Sequence, residues 1–421
     1  MEIFRAPIGT HDVLPPDSAW WEQALGSFAQ LARRAGFGLL VSPLFEDVAV
    51  FDRGIGATSD VATKEMYVFE DRGGRRLALR PEGTASVVRA FVQHRPVVPW
   101  KVWYATPAFR YERPQAGRYR QHHQVGVEAL GSPDPALDVE VIALAARFYE
   151  ALGLRRVRLL INSMGHPECR TAYVTVLGAY LGEHADELCE EHRTRFAESP
   201  LRVLDCKQPA CVAVTERGPQ LPHHLCAECR EHFAAVRSGL DSIDIAWTLA
   251  PRLVRGFDYY TRTTFEFVSD ALAAAQNAVG GGGRYDGLAE QLGGPASAGV
   301  GFGSGLERLR LACQAEGVRD AADRVDVFVV DTDGGTHATV LADQLRRAGL
   351  VVERAFDQRS MKAQMRLADR SGAAVAVLVG PTEAAQGSVT IRDLRGAAEG
   401  AQVTVPASEL VATVRERATE R

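Results

Sequence analysis

Residues 104–131, YATPAFRYERPQAGRYRQHHQVGVEALG, decide how this chain folds. Tyr104–Tyr111 and Gln121–Leu130 both have strand character. The Pro/Gly-containing run between them, with Arg113, Pro114, Gln115, Gly117, Arg118 and Arg120, is turn chemistry. The stretch is therefore expected to be a long β-hairpin. Side chains alternate across a strand, so Gln124, Gly126 and Glu128 share one face, and the glycine leaves bare backbone on which a ligand can lie. Arg110 and Glu112 likewise share a face of the incoming strand. A planar cation with amide and carboxyl groups over a bare floor, beside a basic loop, makes a candidate binding site.

Upstream of the hairpin, Arg80, Glu82 and Thr84 stand at a strand-to-helix turn where Gly83 permits close backbone approach. A helix is expected from about Thr84 to His94, and a carboxylate at its start suits the helix dipole whether or not it binds anything. Strands are expected at Glu65–Phe69 and Arg76–Arg80. Nearer the N-terminus, a helix over Ser18–Ala35 precedes GFGLLVSPLFE, residues 36–46, read as one strand. Pro43 in it lacks a ladder donor and belongs at an edge or against a partner.

Downstream, Asp138–Gly153 has the apolar spacing of an amphipathic helix, and the strand VRLLINSMG follows. Residues 166–244 turn helical, polar and charged and hold six of the seven cysteines; they read as an insertion into one sheet domain. The sheet resumes with RLVRGFDYYTRTTFEFV, GGGGRYDGL and AGVGFGSGLERL. In the last, Gly299, Gly301, Gly303 and Gly305 alternate, so one strand face is bare. Ser304 three residues before Glu307 has the spelling of a capping box. Arg308 then falls in the first turn of a helix, where a cation opposes the dipole, which suggests an anionic ligand. After a charged linker near Ala321, alternating strands and helices define a C-terminal α/β domain with a mixed sheet and a basic side of Arg354, Arg359, Lys362, Arg366 and Arg370.

Composition narrows the possibilities. The 421 residues suffice for two or three domains, and 46% hydrophobic with 24% charged residues is ordinary for a soluble protein. No apolar run approaches the roughly 20 residues of a membrane span, and MEIFRAPIGTHD lacks a signal-peptide layout. A net charge of −5 excludes a generally basic nucleic-acid coat, though not a local basic patch. An odd seven cysteines without a secretory signal argue for a reducing cytoplasm and free thiols.

The blocks GTHDVLPPDS, RPEGT, FRYERPQAGRYRQHHQVGVEALG, LVRGFDYYTRTTFEF, GGGGRYDGL and GVGFGSGLERL resemble, in order, the signature blocks of the histidyl-tRNA synthetases, which are class II aminoacyl-tRNA synthetases. RSMKAQMRLADRSGAAVAVLVG resembles that family's anticodon-binding fold. The resemblance implies an α+β protein: a class II antiparallel-sheet catalytic domain over 1–165 and 245–320, a helical insertion over 166–244, and an anticodon-binding α/β domain over 325–421. It also implies a homodimer through the first helix and the Pro43 strand, with ATP and its Mg²⁺, L-histidine and histidine tRNA as ligands.

Residue by residue, the resemblance implies that Arg110 meets the α-phosphate, Arg308 the γ-phosphate and Glu112 the adenine amino group. Arg255 would reach carboxylate and α-phosphate where other class II enzymes use a metal. Glu82, Thr84 and Gln124 match positions that hold the amino group of histidine; Glu128, Tyr259 and Tyr260 match those around its ring. His122 stands where relatives often carry Phe, a change expected to make ATP binding weaker or pH-dependent. Arg113, Gln115 and Arg118 would touch the acceptor end of tRNA. The cysteines are read as free thiols with no metal site, because Cys206-x4-Cys211 and Cys226-x2-Cys229 have mismatched spacings and the family does not in general require zinc. The alternative is a zinc site built from those four with His223, His224 or His232 nearby. The rival function is the non-catalytic regulatory subunit that partners ATP phosphoribosyltransferase, against which stand Arg110, Arg255, Arg308 and the C-terminal domain.

Overall fold

The computed structural model describes residues 3–56, 64–273, 277–319, 325–357, 359–395 and 399–419. Its contacts divide the chain into two units, Met1–Asp320 and Ala321–Arg421. The linker expected near Ala321 lies outside the described residues. In the first unit, helix α1 (Asp17–Arg34) buries Trp20, Ala24, Phe28 and Ala32 along one side. The single strand expected over 36–46 is broken at its proline. β1 (Gly38–Leu39) and β2 (Phe45–Asp47) join different sheets, and Pro43 lies between them with its carbonyl accepting from Arg80. β2, β3 (Val68–Glu70) and β4 (Arg76–Leu79) make a small antiparallel sheet. It is flanked by helix α2 (Val48–Ile55), and β4 is followed by α3 (Thr84–His94). The expected Glu65–Phe69 strand starts only at Val68.

The main sheet adds β5 (Trp100–Phe109), β6 (Gln121–Leu130), β7 (Val157–Ser163), β8 (Trp247–Leu249), β9 (Thr261–Ser269), β10 (Ala278–Arg284) and β11 (Gly299–Gly305) to β1. The order is β1-β5-β6-β11-β10-β9-β7-β8. The six inner strands are antiparallel, and the two edge strands pair in parallel. Alternation gives β6 two characters. Val125, Val127 and Ala129 face the core beneath α1 and α4 (Pro135–Ala151), where Phe28 meets Phe148 and Phe302 edge-on at 5.0 and 6.0 Å. Gln124, Gly126 and Glu128 occupy the opposite face. The helix expected from Asp138 starts at Pro135, and Asp138, in its first turn, is buried against Arg284, whose Nε lies 3.1 Å from its Oδ2. The two charges share one dry site, and removing either would strand the other.

Between β7 and β8 the chain leaves the sheet as α5 (Pro167–Glu183), α6 (Glu190–Arg195), α7 (Pro200–Asp205), α8 (Pro209–Arg217) and α9 (Ala227–Ser242). These helices share a core of their own that includes Tyr173, Leu177, Leu181, Val203 and Leu221. After α10 (Leu288–Gln291) and β11 comes α11 (Leu306–Ala315), and here the capping-box reading is overturned. Gly305 is the N-cap. Ser304 remains in the ladder and donates to the Val279 carbonyl at 2.6 Å, while Glu307 accepts from the His123 backbone N–H at 2.9 Å.

The second unit is a mixed sheet of β12 (Val327–Asp331), β13 (Val352–Arg354), β14 (Val375–Val379), β15 (Ser388–Asp393) and β16 (Gln402–Pro406), ordered β13-β12-β14-β15-β16. Helices α12 (Thr336–Arg347), α13 (Met361–Ser371), α14 (Pro381–Gln386) and α15 (Leu410–Thr419) accompany it. α13 buries Gln364 and Ala368 and exposes Lys362, Arg366 and Arg370 at four-residue spacing. No helix among the described residues is long and apolar enough to cross a membrane.

Candidate active site

Five strands contribute one row of directly opposed residues. Tyr104 pairs with Gly126, Gly126 with Gly303, Gly303 with Gly281, and Gly281 with Glu266. Three consecutive glycines thus leave a trough in the sheet, bounded by a tyrosine and a carboxylate. The bare face expected along β11 is only half bare. The space beside Gly301 holds the Glu128 carboxylate and that beside Gly299 holds the Tyr285 ring, whereas Gly303 and Gly305 are open. Over this floor lies a cleft of about 240 Å³.

Arginines from three distant segments line that cleft. Arg110, just past β5, donates from Nε to the Pro81 carbonyl at 2.9 Å, and its guanidinium lies 5.5 Å from the Phe257 ring. Arg308, in the first turn of α11, donates to the Ala278 carbonyl at 2.9 Å. Arg255 donates to Glu266 Oε2 at 2.8 Å and lies 5.7 Å from the Tyr260 ring. Gly281 makes room for it, since a Cβ there would sit 2.7 Å from its Nη1. The Arg255 Nε is buried and has no hydrogen-bond partner. Such a donor costs about 1–3 kcal/mol until something accepts from it.

Glu112 closes one side of the cleft, held 2.9 Å from Arg118 Nε and 3.9 Å from Arg110. This brings Arg118 to the cleft, whereas Arg113 and Gln115 are exposed on the hairpin loop. Gln124 is half-buried on the cleft wall beside His122. The expected pH sensitivity at His122 is not supported. Burial, then the charges of Arg110, His123, Arg308 and Arg118, push its imidazole down to about 3, so near neutral pH it is an uncharged ring.

The other candidate residues form a buried polar nest around Glu128, which is wholly inaccessible. Its carboxyl accepts from Thr84 Oγ1 at 2.7 Å, Tyr285 OH at 2.6 Å and Tyr104 OH at 3.3 Å. Burial outweighs those hydrogen bonds and lifts its pKa to about 8. Glu82 is spent first on α3, accepting from the backbone N–H groups of Thr84 (2.5 Å) and Ala85 (2.8 Å). Burial pushes its carboxyl up as well, against the pull of those amides. Tyr259 and Tyr260 are buried alongside, with Tyr259 5.9 Å from the Tyr285 ring.

Three residues of this arrangement escaped the sequence reading. Tyr104 and Glu266 end the glycine row, and Tyr285 holds Glu128. The lone carboxylate between Phe265 and Phe267 was a usable signal for Glu266, because a charge on the second face of an otherwise buried strand needs a partner or a ligand. The zinc alternative is corrected: Cys206, Cys211, Cys226 and Cys229 do not form one group, and His223, His224 and His232 join neither pair. Cys206 and Cys211 lie with Cys189 and His192; Cys226 and Cys229 lie with His166 and Cys169.

A family model described as histidyl-tRNA synthetase matches residues 9–309, and one described as an anticodon binding domain matches residues 325–417. The chain is 48% identical over 418 residues to a protein of Mycobacterium marinum (strain ATCC BAA-535 / M) named histidine–tRNA ligase, covering 98% of both. It is 45% identical to one of the same name from Halothermothrix orenii, covering 97% of this chain and 98% of the other. The crystal structure of apo S. aureus histidyl-tRNA synthetase superposes with a TM-score of 0.80 at 33% identity, covering 98% of this chain and all of that one.

Proposed function

The chain belongs to the histidyl-tRNA synthetase family, and on that premise we propose how its residues divide the work. The activity is that of a histidine–tRNA ligase, which activates histidine with ATP and passes it to tRNA. Full-length matches to ligases favour this over the regulatory-subunit reading. One observation supports the assignment of the site: Arg110, Arg255 and Arg308 converge on a cleft whose floor is glycine.

In the first step a histidine carboxylate oxygen attacks the α-phosphorus, and the bond to the bridging oxygen of pyrophosphate breaks. Two anions must meet, so the protein's task is charge neutralisation and alignment. Arg110 takes the α-phosphate with its bidentate fork. Arg255 spans carboxylate and α-phosphate, which supplies the acceptor its Nε lacks. Arg308 takes the γ-phosphate at the open end of the floor. His122 stacks on adenine as a neutral ring, and Glu112 accepts from the adenine amino group. Glu82, Thr84 and Gln124 receive the amino group of histidine, while Glu128 with Tyr259 and Tyr260 faces the imidazole. Tyr104 and Tyr285 hold the Glu128 carboxyl in place. In the second step a ribose hydroxyl of the tRNA end attacks the acyl carbon and AMP leaves; Arg113, Gln115 and Arg118 guide that end.

The carboxylates described at the cleft are already engaged: Glu112 with Arg118, Glu266 with Arg255 and Glu307 with His123. That donor set does not fit a resident magnesium ion, and Mg²⁺ enters as the companion of the ATP phosphates. A homodimer through this segment would cover the exposed apolar side chains of Leu39, Val41 and Phe45, on and between β1 and β2. A cytoplasmic site agrees with seven cysteines of which none is in a disulfide. ATP–pyrophosphate exchange across the twenty amino acids tests the reading. Exchange dependent on histidine alone is expected, and exchange supported by another amino acid, or by none, would overturn it.

A further inference from the structure

The cysteines of the insertion are not scattered through its core. Six of the seven fall into two groups, each completed by one histidine: His166, Cys169, Cys226 and Cys229 at the root of the insertion, and Cys189, His192, Cys206 and Cys211 around the short helices α6, α7 and α8. Within each group all four candidate ligand atoms lie within 4.8 Å of one another. Cys189 Sγ is 4.0 Å from Cys206 Sγ and 3.1 Å from His192 Nδ1, which is 3.9 Å from Cys211 Sγ. At the root, Cys229 Sγ is 3.7 Å from His166 Nδ1. A tetrahedral zinc with Zn–S near 2.3 Å and Zn–N near 2.0–2.1 Å separates neighbouring ligands by about 3.8 Å for two sulfurs and about 3.5 Å for sulfur and nitrogen. These four separations, from 3.1 to 4.0 Å, bracket those edges.

Local structure explains how so short a sequence achieves this. His166, Cys226 and Cys189 are the N-caps of α5, α9 and α6, and their partners Cys169, Cys229 and His192 stand three residues on, in the first helical turn. Cap and third residue converge there, so each x2 spacing aims two ligands at one point. Backbone N–H groups also turn onto the sulfurs: Cys226 N to Cys169 Sγ at 3.2 Å, Cys229 N to Cys226 Sγ at 3.4 Å, and Cys189 N to Cys211 Sγ at 3.4 Å. A metal-bound sulfur accepts donors of this kind from its surroundings. At the root the far ring nitrogen of His166 lies 3.4 Å from Glu168 Oε2, the arrangement in which a metal-bound imidazole is oriented by a carboxylate.

We propose that the insertion holds two structural zinc ions, one on His166, Cys169, Cys226 and Cys229 and one on Cys189, His192, Cys206 and Cys211. Three sulfurs and one imidazole form a soft, closed set with no open position, which suits a structural and not a catalytic ion. The need is physical. α6 and α7 have six residues each, too short to persist alone, and small helical cores are commonly stapled by metal. The root ion ties the chain's entry into the insertion to its exit helix. Both candidate groups lie outside the adenylation cleft, so the proposal stands apart from the roles assigned there.

The test is metal analysis of the full chain, expressed with zinc and dialysed exhaustively. Two zinc ions per chain are expected, falling to one in Cys226→Ser, to one in Cys206→Ser, and to none in the double variant. In case a variant fails to fold, the wild-type chain loaded with cobalt(II) provides a second reading. Thiolate-to-metal charge transfer with intense tetrahedral d–d bands supports the sites, and a weak octahedral spectrum overturns them. Disulfide-bonded cysteines in a metal-free chain, or a zinc content that neither substitution changes, would also overturn the proposal.

Discussion

Arg255→Ala removes the one guanidinium proposed to touch both reacting groups, so its effect belongs to the transition state of adenylation. The kcat of pyrophosphate exchange is expected to fall about a hundredfold or more, the scale of one lost preorganised donor. Arg255→Lys should recover little, because a point charge cannot span two oxygens. Transfer from supplied histidyl-adenylate should change far less; equal slowing of both steps would make Arg255 a positioning residue for the whole site. Glu128 yields a second expectation at this scale. Glu128→Gln keeps the volume but gives up an acceptor, and the KM for histidine should rise tenfold to a thousandfold, about 1.5–4 kcal/mol, with the KM for ATP unmoved. The same change has a pH signature. With its pKa lifted in the fold to about 8 from an ordinary carboxyl value of 4.5, the Glu128 contribution to stability is full below the unfolded value and is lost as pH rises through the folded one. The Tm of the histidine-free chain should therefore fall across that window, and part of the slope should vanish in the variant. A parallel pH profile would mean that Glu128 ionises normally in the fold.

The glycine row makes two opposite expectations of one chemical change. A Cβ on Gly303 would meet nothing nearer than the Tyr104 hydroxyl at 3.7 Å, so Gly303→Ala should fold with a near-normal Tm and weaken ATP in pyrophosphate exchange. A Cβ on Gly126 would lie 2.5 Å from the Phe302 carbonyl, so Gly126→Ala should lower stability by about 1–3 kcal/mol in denaturant unfolding. If both behaved alike, the floor would not be the nucleotide surface. Much of this was legible in the chain, because a period of two that alternates Phe302 and Val300 with glycines has only one reading as a strand. The adjoining failures have a common physical source. Ser304 and Glu307 spell a capping box, but Ser304 is kept in the ladder by Gly280 and Val125, partners too distant in sequence for a local pattern to show. The cysteine spacings were visible, whereas the histidine that completes each group depends on where helices α5 and α6 begin.

The two units have separate cores, which makes their contributions separable. Removing residues 325–421 should leave histidine-dependent pyrophosphate exchange and reduce tRNA aminoacylation far more, because every residue assigned to adenylation precedes that unit. Alanine at Lys362, Arg366 and Arg370 in the full chain should weaken tRNA and flatten its dependence on salt by a slope of roughly 2, three phosphate contacts on single-stranded RNA. Equal loss of both activities in a folded truncation would deny the second unit its tRNA role. The order of strands in the first unit also has a consequence in time. The central ladder of the site joins β6 to β11, yet α4, the whole insertion, β9 and β10 are synthesised between them. At about 5–20 residues per second, β6 waits roughly ten to thirty seconds with an unpaired edge before its partner emerges. An open edge is a template for wrong pairing, so this is the interval in which a nascent chain is most exposed to aggregation. An insertion that collapses around its own core during that wait shortens the loop still to be closed. The glycine floor is therefore completed only by the last strand of its sheet to be made.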